Sequence, residues 1–166
     1  GTIYSAAGHD DFDNDGVLDS IDRCLKTAPV ARAYVNRYGC AMPIATKFDI
    51  KPDFNATDIN GLSNLELGIS QFGKISYVNK NIRLLKITVQ NEDDRLNIDA
   101  DLDISQSKII LNQNNLPQLN QGATVTLYNV TVQSPKILRD GIECAGCSII
   151  SYNTATKTLL FSVPGF

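Results

Sequence analysis

The sequence predicts a mainly β protein, an antiparallel β-sandwich preceded by a small N-terminal loop segment, and three observations predict it. From about Thr46 onward, short runs alternate apolar and polar residues and are rich in β-branched side chains, the pattern of strands with one buried face. Turn-forming residues fall between those runs at sandwich-like intervals. The first 45 residues differ, combining clustered acids, Pro29, Gly39 and two cysteines with no long amphipathic helix. A chain of 166 residues that is 43% hydrophobic can build one good core plus a small appendage. The expected division is 1–45 for the loop segment and 46–166 for the sandwich.

Taken in order, the expected strands are Phe48–Lys51, Leu65–Leu67, Lys74–Val78, Ile82–Val89, Leu96–Ile98, Lys108–Leu111, Thr124–Val132, Ser148–Tyr152 and Thr158–Val163. Gly61, Gly73, Asn91–Asp94, Asn112–Gly122 with Pro117, and Asp140–Gly141 punctuate them. Asn153–Lys157 lies between the last two runs and predicts a closing hairpin. Asp99, Asp101 and Asp103 alternate with Ala100 and Leu102, so they are expected on one wet strand face.

The net charge of −3 and the acidic isoelectric point leave no basic face for nucleic acid or anionic lipid. No apolar run reaches the roughly eighteen residues that a membrane-spanning helix needs. The total hides an asymmetry. Asp10, Asp11, Asp13, Asp15, Asp19 and Asp22 all lie in the first 22 residues, where there is no Lys or Arg. Like charges packed so closely repel unless a cation sits among them.

The spacing of those acids identifies the cation. Asp11, Asp13, Asp15, Asp19 and Asp22 occupy positions 1, 3, 5, 9 and 12 of a twelve-residue loop, and Gly16 falls at position 6. Calcium takes six to eight oxygen ligands, and carboxylates alternating around a glycine turn wrap one ion with little strain. Position 7 contributes a backbone carbonyl in such loops, here from Val17. Asp22 stands where an EF-hand has Glu, so closure by the shorter side chain needs the chain to approach more closely. With Pro29 and Gly39 following, the expectation is a compact calcium loop, with calcium (Ca2+) as a structural ion rather than a helix-loop-helix sensor. Asp10 and His9 are further candidates for the shell, though a solvent-facing spectator is the simpler role for the single histidine.

Four cysteines allow three pairings. The spacing favours Cys24 with Cys40 and Cys144 with Cys147, a local arrangement. A zinc site of four thiolates would want both pairs closely spaced, and fifteen residues separate Cys24 from Cys40. A redox centre at Cys144–Cys147 would want a βαβ setting that the flanking Ile142 and Ser148–Ile150 do not suggest. Paired cysteines argue for an oxidising compartment.

The stretch Asp11 to Cys24, followed by Thr27-Ala-Pro29 and Asn36-Arg-Tyr-Gly39-Cys40, resembles a thrombospondin type 3 repeat. The likeness covers about residues 10–43. It implies calcium ligation by Asp11, Asp13, Asp15, Asp19 and Asp22 and by the Val17 carbonyl, with Cys24–Cys40 as the staple. Asn64–Leu67, Phe72–Ile75, Ala123–Asn129, Ile137–Gly141 and Leu160–Phe166 resemble, less specifically, a β module of large archaeal and bacterial surface proteins. Together these resemblances imply a secreted or cell-surface structural or adhesive module. Its implied partners are copies of itself in a filament or array, or neighbouring surface domains.

No enzyme is expected. Nucleophilic mechanisms of the Ser-His or Cys-His type need a histidine in the folded core, and the only one is His9 beside the acidic loop. The alternative function is carbohydrate binding, since calcium-bearing β-sandwiches often bind sugars. Against it, the chain has no Trp and only 7% aromatic residues. Tyr77, Tyr128 and Tyr152 fit strand packing better than exposed platforms. Asn55-Ala-Thr57 and Asn129-Val-Thr131 match the glycosylation sequon.

Overall fold

The computed structural model describes residues 1–2, 10–85 and 96–166. Among the described residues, nine strands and one helical turn follow a loop-rich N-terminal stretch: β1 (Leu65–Ile69), β2 (Gly73–Tyr77), α1 (Ile98–Asp101), β3 (Leu102–Ser105), β4 (Lys108–Leu111), β5 (Ala123–Leu127), β6 (Leu138–Arg139), β7 (Ile142–Glu143), β8 (Ser148–Asn153) and β9 (Thr158–Val163). Short 3-10 turns occupy Pro29–Tyr34, Phe54–Ala56 and Pro117–Leu119. The protein is mainly β and antiparallel, as the period-two runs predict.

Five strands form the central sheet in the order β1-β2-β5-β9-β8, every pair antiparallel. Its register places Leu67, Ile75, Val125, Phe161 and Ile149 in one row across the sheet. Because side chains alternate along each strand, that row defines an apolar face. The opposite face carries Glu66, Lys74 and Ser76, where the Lys74 ammonium lies 3.3 Å from the Glu66 carboxylate and the Ser76 hydroxyl donates to it.

Two coverings share the apolar face. The β3–β4 hairpin contributes Leu102, Ile104 and Leu111 to a core with Leu65, Leu67, Ile75 and Tyr77. Ala45, Phe48, Phe54 and Ile59 join that same core, with Tyr34 and Ala41 packed against it, so burial is continuous across residue 45. A smaller cluster of Val125, Leu127, Val130, Leu159 and Phe161 lies under Ile109 and Ile137. Tyr77 is fully buried, and its hydroxyl donates to the Leu119 carbonyl at 2.7 Å. Burial pushes that phenol well above its ordinary range.

Several expected strands are shorter or absent, each for a local reason. Among the described residues Phe48–Lys51 forms a single bridge, Ile50 to Gly68, and Phe48 is buried in the main core. Ile82 likewise makes one bridge, to Leu62, while residues 86–89 of the expected strand lie outside the described residues. The expected strand from Thr124 to Val132 stops at Leu127, and Asn129 takes a φ of +58° that no strand tolerates.

Asp99 and Asp101 do not line a strand face. Asn97 caps a helical turn by accepting from the Ala100 amide, and acids in a first helical turn are favoured. Asp99 accepts from the Thr46 hydroxyl and the Lys47 amide, and Asp103 pairs with Lys47 at 3.4 Å. Burial raises the Asp99 pKa, but the bonds from Thr46 and Lys47 outweigh it and leave the carboxyl below its usual value. These acids tie α1 and β3 to residues 46–47.

Candidate metal centre

Residues 10–40 carry almost no buried apolar side chain, so their polar groups organise them. The Asp19 amide donates to the Asp10 carbonyl at 2.7 Å, closing the loop, and the amides of Ile21 and Asp22 both donate to Leu18 O at 2.9 Å. Asn14 and Gly16 take positive φ, +58° and +93°, which turns successive carboxylates inward. Asn tolerates that region better than most residues and glycine tolerates it freely.

Asp11, Asp13 and Asp15 each place a carboxylate oxygen within 4.8 Å of the others. That separation suits a single calcium ion. Oxygens on one sphere of radius about 2.4 Å can be no farther apart than about 4.8 Å. Asp13, Asp15 and Asp22 are buried to 6%, 8% and 9% exposure, unusual for carboxylates that form no salt bridge among the described residues. Asp13 is held by the Thr27 amide at 2.8 Å, and Asp11 by the Gly16 amide at 2.9 Å. Asp15 accepts from the Val17 amide and Asp22 from the Cys24 amide.

One oxygen of each inner carboxylate is left over. Asp15 Oδ2 and Asp22 Oδ2 are buried without a hydrogen-bond partner. Burial raises the Asp15 pKa, the Val17 amide opposes it, and the charges of Asp13, Asp22 and Asp11 raise it further. Orphaned anionic oxygens beside other carboxylates are what a divalent cation would satisfy. The donor set, all hard oxygens, fits calcium rather than a thiophilic metal.

A second loop completes the enclosure. Thr27 donates its hydroxyl to the carbonyls of Cys24 and Gly39, both at 3.1 Å. The Arg23 amide donates to Tyr38 O, and the Arg23 guanidinium stacks 4.0 Å from the Tyr38 ring centroid. Cys24 and Cys40 are disulfide-bonded, which holds this loop against the acidic one, and Cys144 and Cys147 form the second disulfide. Gly39 packs directly on the carboxylates. A Cβ there would lie 2.7 Å from Asp15 Oδ2 and against Asp22 Oδ1.

Of the sequence-predicted ligands, Asp11, Asp13 and Asp15 converge, and Asp22 joins Asp15 beneath Gly39. Asp19 is set apart, accepting from the Phe12 amide at 2.9 Å. The Val17 amide orients Asp15. His9 lies outside the described residues. Thr27 and Gly39 are not among the ligands that the acid spacing predicts. Their only sequence signal is position, a hydroxyl three residues after Cys24 and a glycine just before Cys40.

No known protein family matches this chain, and no curated protein matches it. Solved structures do show similarity. The C-terminal domain of the nuclear pore component NUP116 from Candida glabrata is 18% identical, over 64% of this chain and 78% of that one, with a TM-score of 0.43. A Chaetomium thermophilum Nup145N domain fused to part of Nup145C is 14% identical over 65% and 82%, with a TM-score of 0.43. A chain of the yeast Nup82-Nup159-Nup116 nucleoporin complex is 15% identical over 64% and 84%, with a TM-score of 0.44.

These similarities are to nucleoporin domains, not to thrombospondin repeats or to secreted, adhesive, filament-forming or carbohydrate-binding proteins. The expected secreted or cell-surface location and the adhesive, filament-forming or sugar-binding role are withdrawn on that finding. The physical reason is that an acidic loop and two local disulfides specify ion and thiol chemistry over a few residues, not where the whole molecule resides. Likenesses with TM-scores of 0.43–0.44 give this chain no nucleoporin role either. Among the described residues, no helix is long and apolar enough to cross a membrane.

Proposed function

We propose that this chain is a non-catalytic, calcium-binding domain in which the ion is a structural part of residues 10–40. Asp11, Asp13, Asp15 and Asp22 hold the ion, which neutralises their mutual repulsion and locks the acidic loop onto the Thr27–Cys40 loop. The observation that carries this reading is the pair of buried, partnerless oxygens, Asp15 Oδ2 and Asp22 Oδ2, facing the convergent carboxylates. In support of a non-catalytic role, three carboxylates outside this loop are engaged in structural contacts. Asp99 and Asp103 are tied to Thr46 and Lys47, and Glu66 to Lys74 and Ser76.

The test is thermal unfolding with calcium and with chelator, for the native chain and for Asp15→Ala. At a free calcium level of about 100 times Kd, binding to the folded state alone adds about 2.7 kcal/mol. A calcium-dependent rise in Tm that Asp15→Ala abolishes is expected. An unchanged Tm in the native chain overturns the proposal.

A further inference from the structure

A second region of the molecule is shaped for a ligand of different chemistry. Between the β3–β4 hairpin and residues 130–141 an open groove of about 830 Å³ runs over the sheet. Its floor is the apolar face of β5 and β9, two of the three inner strands, with Val125, Leu127, Leu159, Phe161 and Val163. One bank is β4, which meets the groove with every residue from Lys108 to Leu111. Side chains of successive strand residues point to opposite faces. A strand that borders a cavity with consecutive residues therefore borders it along its backbone edge. Within the described residues β4 hydrogen-bonds only to β3, so that edge has donors and acceptors to spare. On the other bank, Ile137 is half-buried over the floor and Leu138 of β6 is 60% exposed.

The charge at the rim is opposite to that of the chain. Lys108, Lys136 and Arg139 line the groove with a single carboxylate, Asp140, although the whole protein carries −3. Lys108 and Lys136 are exposed, and the Arg139 guanidinium donates to the Phe166 carbonyl at 3.0 Å. An unpaired strand edge above an apolar floor is the arrangement that accepts an added strand. Main-chain bonds supply the affinity, and alternate side chains read the pockets. A basic rim selects acidic flanks by complementarity.

We infer that this groove is a docking site for an extended segment of a partner polypeptide that adds as a strand to β4, with alternate apolar side chains on the floor and acidic residues at its ends. A segment of about five residues spans β4 at roughly 3.3 Å per residue, placing three side chains inward. The interaction is separate from the metal centre and stands whether or not calcium binds there.

The probe is a blocked synthetic peptide, Glu-Glu-Val-Thr-Val-Thr-Val-Glu, titrated calorimetrically into the native chain. Amide hydrogen exchange is followed with and without it. Binding is expected together with new protection of the Lys108–Leu111 amides. The same peptide N-methylated on its edge-facing amides is expected to bind about tenfold more weakly or worse, since only main-chain pairing is lost. Lys108→Glu combined with Lys136→Glu, both exposed and so neutral for folding, is expected to reverse the preference toward a peptide with lysine ends. The inference is overturned by no binding at about 1 mM peptide, the weak end of specific recognition. It is equally overturned if a scrambled or N-methylated peptide binds as well, if protection appears on the free edge of β8 instead, or if the β4 amides are already protected without peptide, by the chain itself or by a second copy.

Discussion

Gly39 takes a φ of +72°, and its missing Cβ is where the carboxylates of Asp15 and Asp22 reach. Two separate constraints thus fall on one residue. A left-handed conformation costs a non-glycine residue about 1–2 kcal/mol, and any side chain would displace the two inner acids from their shared position. Gly39→Ala is therefore expected to lower calcium affinity about tenfold or more, as read by titration calorimetry, and to lower Tm even with chelator present. Equal affinity in the variant would mean that the carboxylates rearrange freely and that Gly39 is only a turn residue. At this scale the sequence is legible where spacing carries the chemistry. Alternate acids around Gly16 predict a convergent set, and Asp11, Asp13 and Asp15 do converge. Asp19 is not grouped with those three, and its Oδ1 accepts from the Phe12 amide seven residues back.

The elements around the centre are loops, and their order comes from cross-links rather than from propensity. Cys24 and Cys40 are 16 residues apart with Cα atoms at 5.1 Å, and closing such a loop is worth about 3 kcal/mol in the chain-entropy model. Replacing both by alanine is expected to remove up to about that much from residues 10–40 and to weaken calcium binding, since the Gly39 loop would no longer be held over the acids. Partial rescue by excess calcium should follow, because ion and disulfide restrain the same two loops. The check is calcium titration of the double variant by near-ultraviolet circular dichroism of Tyr38, which stacks on Arg23. Among the strands, alternation located β2, β4, β8 and β9 nearly to the residue. It overran at Asn129, where a single positive φ ends the run, and it misread Asp99 and Asp101, where the cap supplied by Asn97 wins over alternation.

At the scale of the molecule, the question is how far the effect of the ion travels. Residues 10–28 contribute no buried apolar side chain, whereas Tyr34 and Ala41 pack on the main core and Ala45, Phe48 and Phe54 are part of it. Beyond those contacts, the described links between residues 10–41 and the core region include backbone and side-chain hydrogen bonds to Asn55. The Ala28 amide donates to the Asn55 carbonyl at 2.8 Å, and the Ala41 amide to the Asn55 side chain at 3.0 Å. Chelation is therefore expected to raise amide exchange across residues 10–40 while leaving Leu65–Ile69 and Gly73–Tyr77 protected. Comparable deprotection of the central sheet would show instead that calcium stabilises the whole fold in one cooperative unit.

The sequence by itself determined the mainly β class, the acid spacing and the local cysteine pairs, because each is written in intervals of two to sixteen residues. Tertiary structure alone decided the rest. It brought Gly39 and Thr27 onto carboxylates that lie 14 to 24 residues earlier, and it packed Tyr34 and Ala41 against the main core. Among the described residues it also gave β4 no strand partner other than β3 beside the β5–β9 floor. Alternation tells which side of a strand is apolar but not which element covers it. A half-covered sheet and a fully covered one therefore read the same in sequence.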